Sequence, residues 1–329
     1  MSSLRLRTRA TLLCTTATVA LAGCSSGSTP YFPSTAPWYQ DVSTRAKDPE
    51  SDKVIDGLQR AGGWAHGVFV VNFLMTVLIA DDASPVKTFT PTEDFYTPDC
   101  DHEPMPVPVG GAVEGSPDYR CPGPDQDCHL IVVHRDRRRL YEMWRADIQG
   151  SSFRGGCLAT WDLDRDYGPS GRGEQCSSAD AAGMPIAPLL PTADEVQSGA
   201  VEHAMRFILP NGRIRAGVYV HPATHSTPSA AGGDDKPPYG ARLRLRANFP
   251  VERLPSEGAR VLAVALQRYG MLLADGGEAV LPVQSDRNTQ AKWRGLLDTE
   301  DLRELKVTDF EMVDAGPRLP YTGHCTRNR

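Results

Sequence analysis

Ionisable side chains stand on otherwise apolar faces of two predicted strands. In the segment LYEMWRA, residues 140–146, the two-residue repeat of a strand places Leu140, Glu142 and Trp144 on one face. A carboxylate between two large apolar side chains loses hydration, which raises its pKa and suits it to general acid catalysis. The alternative interpretation is an edge glutamate that pairs with a neighbouring arginine.

Two further residues extend this pattern. His203 shares the face of the predicted strand 201–209 with apolar side chains only, so it is either a proton-transfer group or a histidine satisfied within the core. Asp180, in the segment SADAAGMPI, is a candidate second carboxylate beside Glu142, because paired carboxylates are the minimum apparatus of most glycoside hydrolases. Its alternative role is that of a helix cap or turn acid.

The segment YVHPATHS contains two histidines four residues apart, His221 and His225. On a helix this spacing can hold a metal ion, but Pro222 argues against a helix, and the sequence predicts no metal site here. Tyr219 and His221 point the same way from a predicted strand end, and such a pair suits proton abstraction beside a uronate carboxylate. His225 lies in the following loop, where binding residues often occur.

A row of arginines and three aromatic residues are the candidates for substrate binding. Arg242, Arg244 and Arg246 lie on one face of the alternating segment 241–249. They form either a solvated face paired with acids or a groove for an anionic ligand, since arginine binds carboxylate or sulfate with two parallel hydrogen bonds. The predicted stacking surface for sugar rings comprises Trp144, Tyr219 and Tyr239.

Cofactor motifs are weak or missing. The stretch DLDRD, residues 162–166, imitates the start of a calcium loop, but Tyr167 and Gly173 occupy the positions where glycine and glutamate are expected. The cysteines form no CxxC pair, so zinc is disfavoured. No G-x-S-x-G, P-loop or HExxH motif occurs. The sequence therefore predicts no cofactor and no metal, with calcium as the one weak alternative.

The N-terminus indicates export. Three arginines precede an apolar run over residues 10–22, which leads into Leu21-Ala22-Gly23-Cys24. This exit is similar to a bacterial lipoprotein processing site, which predicts cleavage before Cys24 and acyl chains such as palmitate on Cys24 as the membrane anchor. The predicted organisation is a signal peptide over 1–23, a flexible tether over 24–37 and a single β-rich domain over 38–329.

Charge and cysteine usage agree with that location. The formal charge of the 329-residue chain is −6, and loss of the three signal-peptide arginines makes it −9, which disfavours nucleic acid as a partner. Six cysteines remain after the lipidation site, an even number that predicts disulfides in an exported chain. The predicted pairs are Cys157–Cys176, Cys121–Cys128 and Cys100–Cys325.

Strand signals dominate the rest of the chain. Short apolar or alternating runs over 129–134 and 140–146 predict a hairpin, and 201–209 and 241–249 predict further strands. One helix, capped by Ser256, is predicted over 259–274, and a second short helix over 299–305. The predicted fold is mainly β, an antiparallel, jelly-roll-like β-sandwich with one or two peripheral helices.

Six segments, taken in order, resemble a group of secreted bacterial proteins, some of which occur beside carbohydrate-binding modules. They read LYEMW, SADAAGMPI, GAVEHAMRF, HPATH, YGARLRLRANF and LQRYGMLLADGG, and the match as a whole runs from about Trp38 to Val313. The resemblance implies an extracellular role directed at polysaccharide, and it supplies no catalytic residues.

Together these observations predict a lipoprotein of the cell envelope, anchored to the cell membrane or the outer membrane, that binds an extracellular polysaccharide. For cleavage of that polymer, Glu142 or His203 is expected to move protons, with Asp180 or His221 as the partner. The sequence leaves hydrolysis, β-elimination and a non-catalytic glycan-binding or structural role open.

Overall fold

Two four-stranded sheets form the centre of the protein. Their strands are β1 Val77–Ala80, β2 Leu130–His134, β3 Arg139–Trp144, β4 Cys157–Asp162, β5 Met205–Leu209, β6 Arg242–Leu245, β7 Met271–Gly276 and β8 Phe310–Val313. In the first sheet the spatial order is β4-β3-β2-β1, and in the second it is β5-β7-β6-β8. The mainly β prediction is confirmed, and the predicted hairpin is the antiparallel pair β2–β3.

Both sheets are mixed, so the expectation of purely antiparallel strands is wrong. Strand β1 runs parallel to β2, and β5 runs parallel to β7, whereas the other neighbours are antiparallel. The sequence pattern identified the strands but not their directions, because a parallel pair is set by long connections rather than by local turns.

The first sheet is buried on both faces. Along β2, Leu130 and Val132 pack into one hydrophobic cluster, and Ile131 and Val133 pack into a second, larger cluster. The continuous apolar run of this strand is the pattern expected for a sheet covered on both sides. The second sheet belongs to the larger cluster, which is the main core.

Shorter strands pair with one another outside the two central sheets and connect the loops to the core. They are Val71–Met75 with Leu281–Gln284, Val86–Lys87 with Met105–Pro106, Thr90–Pro91 with Ser152–Gly155 and Asp147–Gln149, Gly173–Glu174 with Thr326–Arg327, and Val218–Tyr219 with Leu319–Pro320. The last two pairs attach the C-terminal segment to the domain.

Three α-helices occur in the described part of the chain: α1 Ser51–Arg60, α2 Ala193–Ser198 and α3 Glu257–Arg268. The Ser256 side chain caps α3 as predicted, by accepting a hydrogen bond from the Ala259 N–H. The helix ends earlier than expected because Gly270, at φ 68°, turns the chain into β7. Residues 299–305 form turns instead of the predicted second helix.

The computed structural model describes residues 31–122, 127–278 and 280–328. The predicted signal peptide, Cys24 and the first part of the predicted tether lie outside these residues. The rest of that tether, 31–37, is not a free linker: Phe32 and Ala36 are buried in the main core, so the folded unit begins before Trp38. Over the described ranges, no helix has the length and apolarity to cross a membrane.

Three disulfides staple the described residues, and one of the three predicted pairs is confirmed. Cys121 bonds Cys128 as expected. The other two predicted pairs are wrong, because Cys157 bonds Cys100 and Cys176 bonds Cys325.

Candidate functional site

Glu142 is fully buried, on the inward face of β3, as its spacing predicted. One carboxylate oxygen accepts hydrogen bonds from the Ile186 and Ala187 backbone N–H groups, both at 2.8 Å, and the other accepts from the Trp161 indole at 3.0 Å. Burial raises the pKa of Glu142 to about 7 despite these donors. Through these hydrogen bonds the carboxylate connects the 186–187 turn to Trp161 on β4. No arginine forms an ion pair with Glu142 among the described contacts.

Asp180 is also buried, and it belongs to a charged cluster that the sequence did not predict. Arg206 Nη2 lies 2.5 Å from Asp180 Oδ1 and 3.5 Å from Asp275 Oδ2. Burial raises the pKa of Asp180 to about 7 and also raises the pKa of Asp275. Asp180 and Arg206 are almost fully enclosed, whereas 26 % of the Asp275 side chain is exposed.

A β-bulge brings this cluster together. The parallel register of β5 and β7 pairs Phe207 with Leu273 and then Ile208 with Asp275, so Ala274 has no partner on β5. The Ala274 carbonyl instead accepts a hydrogen bond from the Ala182 N–H at 2.9 Å, which holds the Asp180 turn beside the strand. Bulges redirect side chains and are frequent beside functional sites.

Two histidines hold this turn from either side. His129 Nε2 donates to the Ala179 carbonyl at 3.0 Å, and its Nδ1 lies 2.7 Å from Glu114. Burial opposes the charged imidazole, but the hydrogen bond and charge of Glu114 outweigh it and raise the pKa of His129 to about 9. His225 Nδ1 donates to the Ala181 carbonyl at 2.8 Å, and its Nε2 accepts from the Tyr321 hydroxyl at 2.9 Å.

His203 lies apart from these residues. It precedes β5 instead of sitting within a strand, its Nδ1 donates to the Ala204 carbonyl at 2.9 Å, and its Nε2 is 3.3 Å from Glu195. Burial opposes protonation, but the Glu195 charge prevails and raises the pKa of His203. Because the ring is buried and both nitrogens have partners within the protein, it matches the core-histidine interpretation.

His221 is the most exposed of the four residues predicted to be catalytic. Its Nε2 lies 2.7 Å from Glu174 Oε1, and the Tyr219 hydroxyl donates to Glu174 Oε2 at 2.6 Å. Tyr219 and His221 therefore lie close together, as predicted, and both contact the Glu174 carboxylate. Gln175, which follows Glu174, has φ 65°, a strained value for a residue other than glycine.

One member of the predicted arginine row, Arg244, lines a groove of about 420 Å³ on another part of the surface. Arg244 lines it, with Nη2 bonded to Glu311, and Arg268 lines it with Nε 2.6 Å from Asp41. Of the two alternatives for the arginine row, a solvated face does not fit Arg242 and Arg244, because each is 7 % exposed, although Arg244 does pair with an acid.

Arg242 is the unusual member of this row. Its guanidinium donates to the Pro37 and Gln40 carbonyls, at 2.7 and 3.4 Å, and no carboxylate lies within ion-pair distance of it among the described residues. Burial, together with the charge of Arg45, lowers the pKa of Arg242 to about 10. Within the described part of the chain, Arg242 is therefore a buried cation without an anionic partner, which is costly unless something supplies one.

The predicted aromatic stacking surface does not form. Tyr219 and Tyr239 are each 1 % exposed, so their rings cannot stack on a ligand as they stand. Trp144 is half-buried, and its indole donates to Asp127, which is exposed. Of the three aromatic residues, Trp144 alone keeps ring surface in contact with solvent.

The weak calcium prediction gains no support from the geometry. Asp162 faces Arg139, Asp164 pairs with Arg138 at 2.9 Å, and Asp166 accepts from the Thr35 hydroxyl at 2.8 Å, so the three carboxylates serve separate partners. Elsewhere in the described ranges, Asp99 lies beside Cys176 and Cys325, but these sulfurs are bonded to each other and are not thiolate ligands.

Sequence reasoning missed Arg206, Asp275, His129 and Glu174. The predicted helix over 259–274 stopped just before Asp275, which the structure places on strand β7. No protein-family model, curated protein or solved structure matches the chain.

Proposed function

We propose that this chain is an exported protein, anchored through lipid on Cys24, whose domain binds an anionic extracellular polysaccharide. The anion site is the arginine groove, defined as the 420 Å³ groove together with Arg45, Arg242 and Arg246 beside it. The observation that carries the proposal is Arg242, a buried guanidinium for which the described residues provide no carboxylate partner.

The position of Arg242 connects it to the groove. It stands two residues before Arg244 on the same face of β6, and its contact with Gln40 lies next to groove-lining Asp41. Arg45 is exposed and close enough to lower the pKa of Arg242. A carboxylate or sulfate bound by Arg45 would relieve this repulsion, which favours an acidic polymer over a neutral one.

The lining chemistry supports a sugar ligand. Besides the arginines and the Asp41 and Glu311 carboxylates that pair with them, the groove is lined by Gln267 and Ser43, and half-exposed Val264 gives an apolar patch. Polar side chains that fix hydroxyl groups around a small apolar surface are typical of ligand sites. The three disulfides are consistent with an oxidising, extracellular location.

Binding of the purified full chain to carboxylated, sulfated and neutral polysaccharides, measured by calorimetry at two salt concentrations, tests this proposal. We expect binding to acidic polymers only, weakened by salt. Arg45→Gln with Arg268→Gln should raise Kd at least tenfold, whereas Arg303→Gln, which removes one exposed charge elsewhere, should not. Equal binding of neutral polymers, or an unchanged Kd in the double variant, would overturn the proposal.

The anchor is tested separately. Cys24→Ser should move the protein from the membrane fraction to the soluble fraction and abolish incorporation of labelled palmitate. Retention of Cys24→Ser in the membrane after a high-salt wash would contradict the lipid anchor.

A second candidate function, cleavage of a uronic-acid polymer by β-elimination, is favoured by the shared contact of Tyr219 and His221 with Glu174. A carboxylate that holds one imidazole nitrogen leaves the other free to abstract a proton. Unsaturated products, seen by ultraviolet absorbance with the wild type and lost in His221→Ala, would establish this reaction. Their absence with every polymer that binds would exclude it.

A further inference from the structure

A carboxylate of the protein itself occupies part of the arginine groove. Asp41 lines the groove, and its Oδ2 accepts a hydrogen bond from Arg268 Nε at 2.6 Å. Its Oδ1 accepts from the Ser43 hydroxyl at 2.6 Å and from the Ser43 backbone N–H at 2.9 Å. Three donors therefore converge on the two oxygens of one carboxylate, which is the arrangement that a carboxylate ligand would need.

These donors stabilise the charged form of a carboxylate. The hydrogen bond from the Ser43 hydroxyl is the largest cause that lowers the pKa of Asp41 to about 2, and the Ser43 N–H and Arg268 add to it. A ligand carboxylate placed between Ser43 and Arg268 would receive the same hydrogen bonds. A sulfate ester would bring a third oxygen, and the described contacts of Asp41 include no further donor for it.

The backbone on either side of Asp41 is fixed, whereas its side chain is at the surface. The Val42 N–H donates to the Arg268 carbonyl at 2.8 Å, and the Gln40 carbonyl accepts from buried Arg242 at 3.4 Å. The Asp41 side chain is 42 % exposed and that of Arg268 is 53 % exposed, and ion pairs at such exposure contribute little to stability. Rotation of one side chain would therefore open this contact without disturbing the fold.

The second ion pair that lines the groove is different. The side chains of Arg244 and Glu311 are 9 % and 17 % exposed, and Arg244 also donates to the Val42 and Arg45 carbonyls. Separating this pair would leave a buried charge without its partner, which is costly. Of these two pairs, Asp41–Arg268 is therefore the one at which an incoming anion can displace a protein carboxylate.

We propose that the space between Ser43 and Arg268 binds a uronic acid carboxylate of the polysaccharide, and that Asp41 occupies this space in the free protein as an internal competitor. This inference rests on the proposed function, because it names the chemical group that the arginine groove recognises. The ligand carboxylate replaces Asp41 Oδ2 at Arg268 and Asp41 Oδ1 at the Ser43 hydroxyl, and the released Asp41 side chain turns to solvent.

The first test measures binding of the full chain to two uronic acid polymers, polygalacturonate and alginate, by calorimetry. Asp41→Asn keeps an oxygen that can accept the Ser43 N–H but removes the competing charge, so it should lower the Kd for a uronic acid polymer about fivefold. Glu202→Gln, which removes an exposed acid whose charge also acts on Arg268, is the matched control and should leave this Kd within about twofold. An equal decrease in the two variants is an effect of overall charge and overturns the inference, as does an unchanged Kd in Asp41→Asn.

The chemistry of the ligand is tested with carboxyl-reduced forms of the same polymers and with dextran sulfate. Carboxyl reduction should abolish binding, and the gain in Asp41→Asn should be smaller for dextran sulfate than for the uronic acid polymers. Equal gains contradict the assignment to a carboxylate. Binding of dextran sulfate without binding of either uronic acid polymer overturns this inference while the proposed function stands, and failure to bind any acidic polymer overturns both.

A double-mutant cycle tests where the competition takes place. If Asp41 acts through Arg268, Asp41→Asn should leave Kd unchanged in an Arg268→Gln background. A gain of the same size in that background contradicts the role of Arg268. Melting temperatures confirm that each variant is folded under the conditions of the binding measurement.

Discussion

The indole of Trp161 donates a hydrogen bond to the buried carboxylate of Glu142 at 3.0 Å, across the antiparallel pair β3–β4. The two backbone N–H groups of the 186–187 turn also donate to this carboxylate, so Glu142 is the acceptor in all three hydrogen bonds. These hydrogen bonds connect the first sheet to the chain segment that contains Asp180. Glu142 therefore helps to hold the segment that carries the charged cluster in place.

Replacing Glu142 with glutamine should therefore reduce stability. The amide NH₂ group would face one of three donors, and a buried donor without an acceptor costs about 1–3 kcal/mol. Chemical denaturation of Glu142→Gln should show a loss in that range, and the loss should be smaller in a Trp161→Phe background, because one facing donor is then gone. A loss of polysaccharide cleavage without a change in stability would instead assign Glu142 a catalytic role.

His129 should make the protein less stable in alkali. The pKa of His129 is about 9 in the folded protein against 6.5 for an ordinary histidine, so the folded state holds the proton more tightly. Stability is fully present below pH 6.5 and is lost as the pH rises to about 9. The melting temperature of the wild type should fall over this window, and that of His129→Gln should fall less. His66→Gln, at an exposed histidine, is the control and should follow the wild type.

His225 should act in the opposite direction. Burial lowers its pKa, so the neutral ring is favoured in the folded protein, where it accepts the hydrogen bond from Tyr321. The unfolded state binds a proton first, and stability should decline as the pH falls below about 6.5. The decline should be shallower in His225→Gln than in the wild type, and an equal decline in the two proteins would show that other groups cause it.

The disulfide between Cys176 and Cys325 should be the most important of the three for the C-terminal segment. It closes a loop of 149 residues, compared with 7 for Cys121–Cys128. Replacing both Cys176 and Cys325 with serine should cost about 2–5 kcal/mol, and the same change at Cys121 and Cys128 should cost less. Peptide mapping without reduction checks the pairing, and a Cys157–Cys176 cross-link would contradict it.

The local parts of the fold could be predicted from the sequence. The hairpin β2–β3, the inward position of Glu142 and the Ser256 cap follow from side-chain alternation and capping chemistry within a few residues. The short Cys121–Cys128 loop is equally local. The misplaced end of α3 shows the limit of this reasoning, because helical spacing continued past Gly270 into residues that pair as β7.

The sites could be predicted only in part. Asp180 was predicted as a second carboxylate beside Glu142, and Glu142 is close enough to contribute to the raised pKa of Asp180. The direct contact of Asp180 is with Arg206, which also contacts Asp275, and both of these residues are far from Asp180 in the chain. The arginine row was recognised, yet its burial and its contacts with the 37–45 segment depend on how that segment packs. The predicted stacking surface failed because alternation cannot tell an exposed tyrosine from a buried one.

Sequence alone determined the elements whose cause is local: strand alternation, the helix cap, the turn signals and the even set of cysteines. Tertiary structure decided which strands run parallel, which cysteines pair, and which charged side chains share a nitrogen or remain without a counter-ion. The physical reason is that these outcomes depend on contacts between distant segments, such as the β5–β7 bulge with the Asp180 turn, whose energies appear only when the chain is packed.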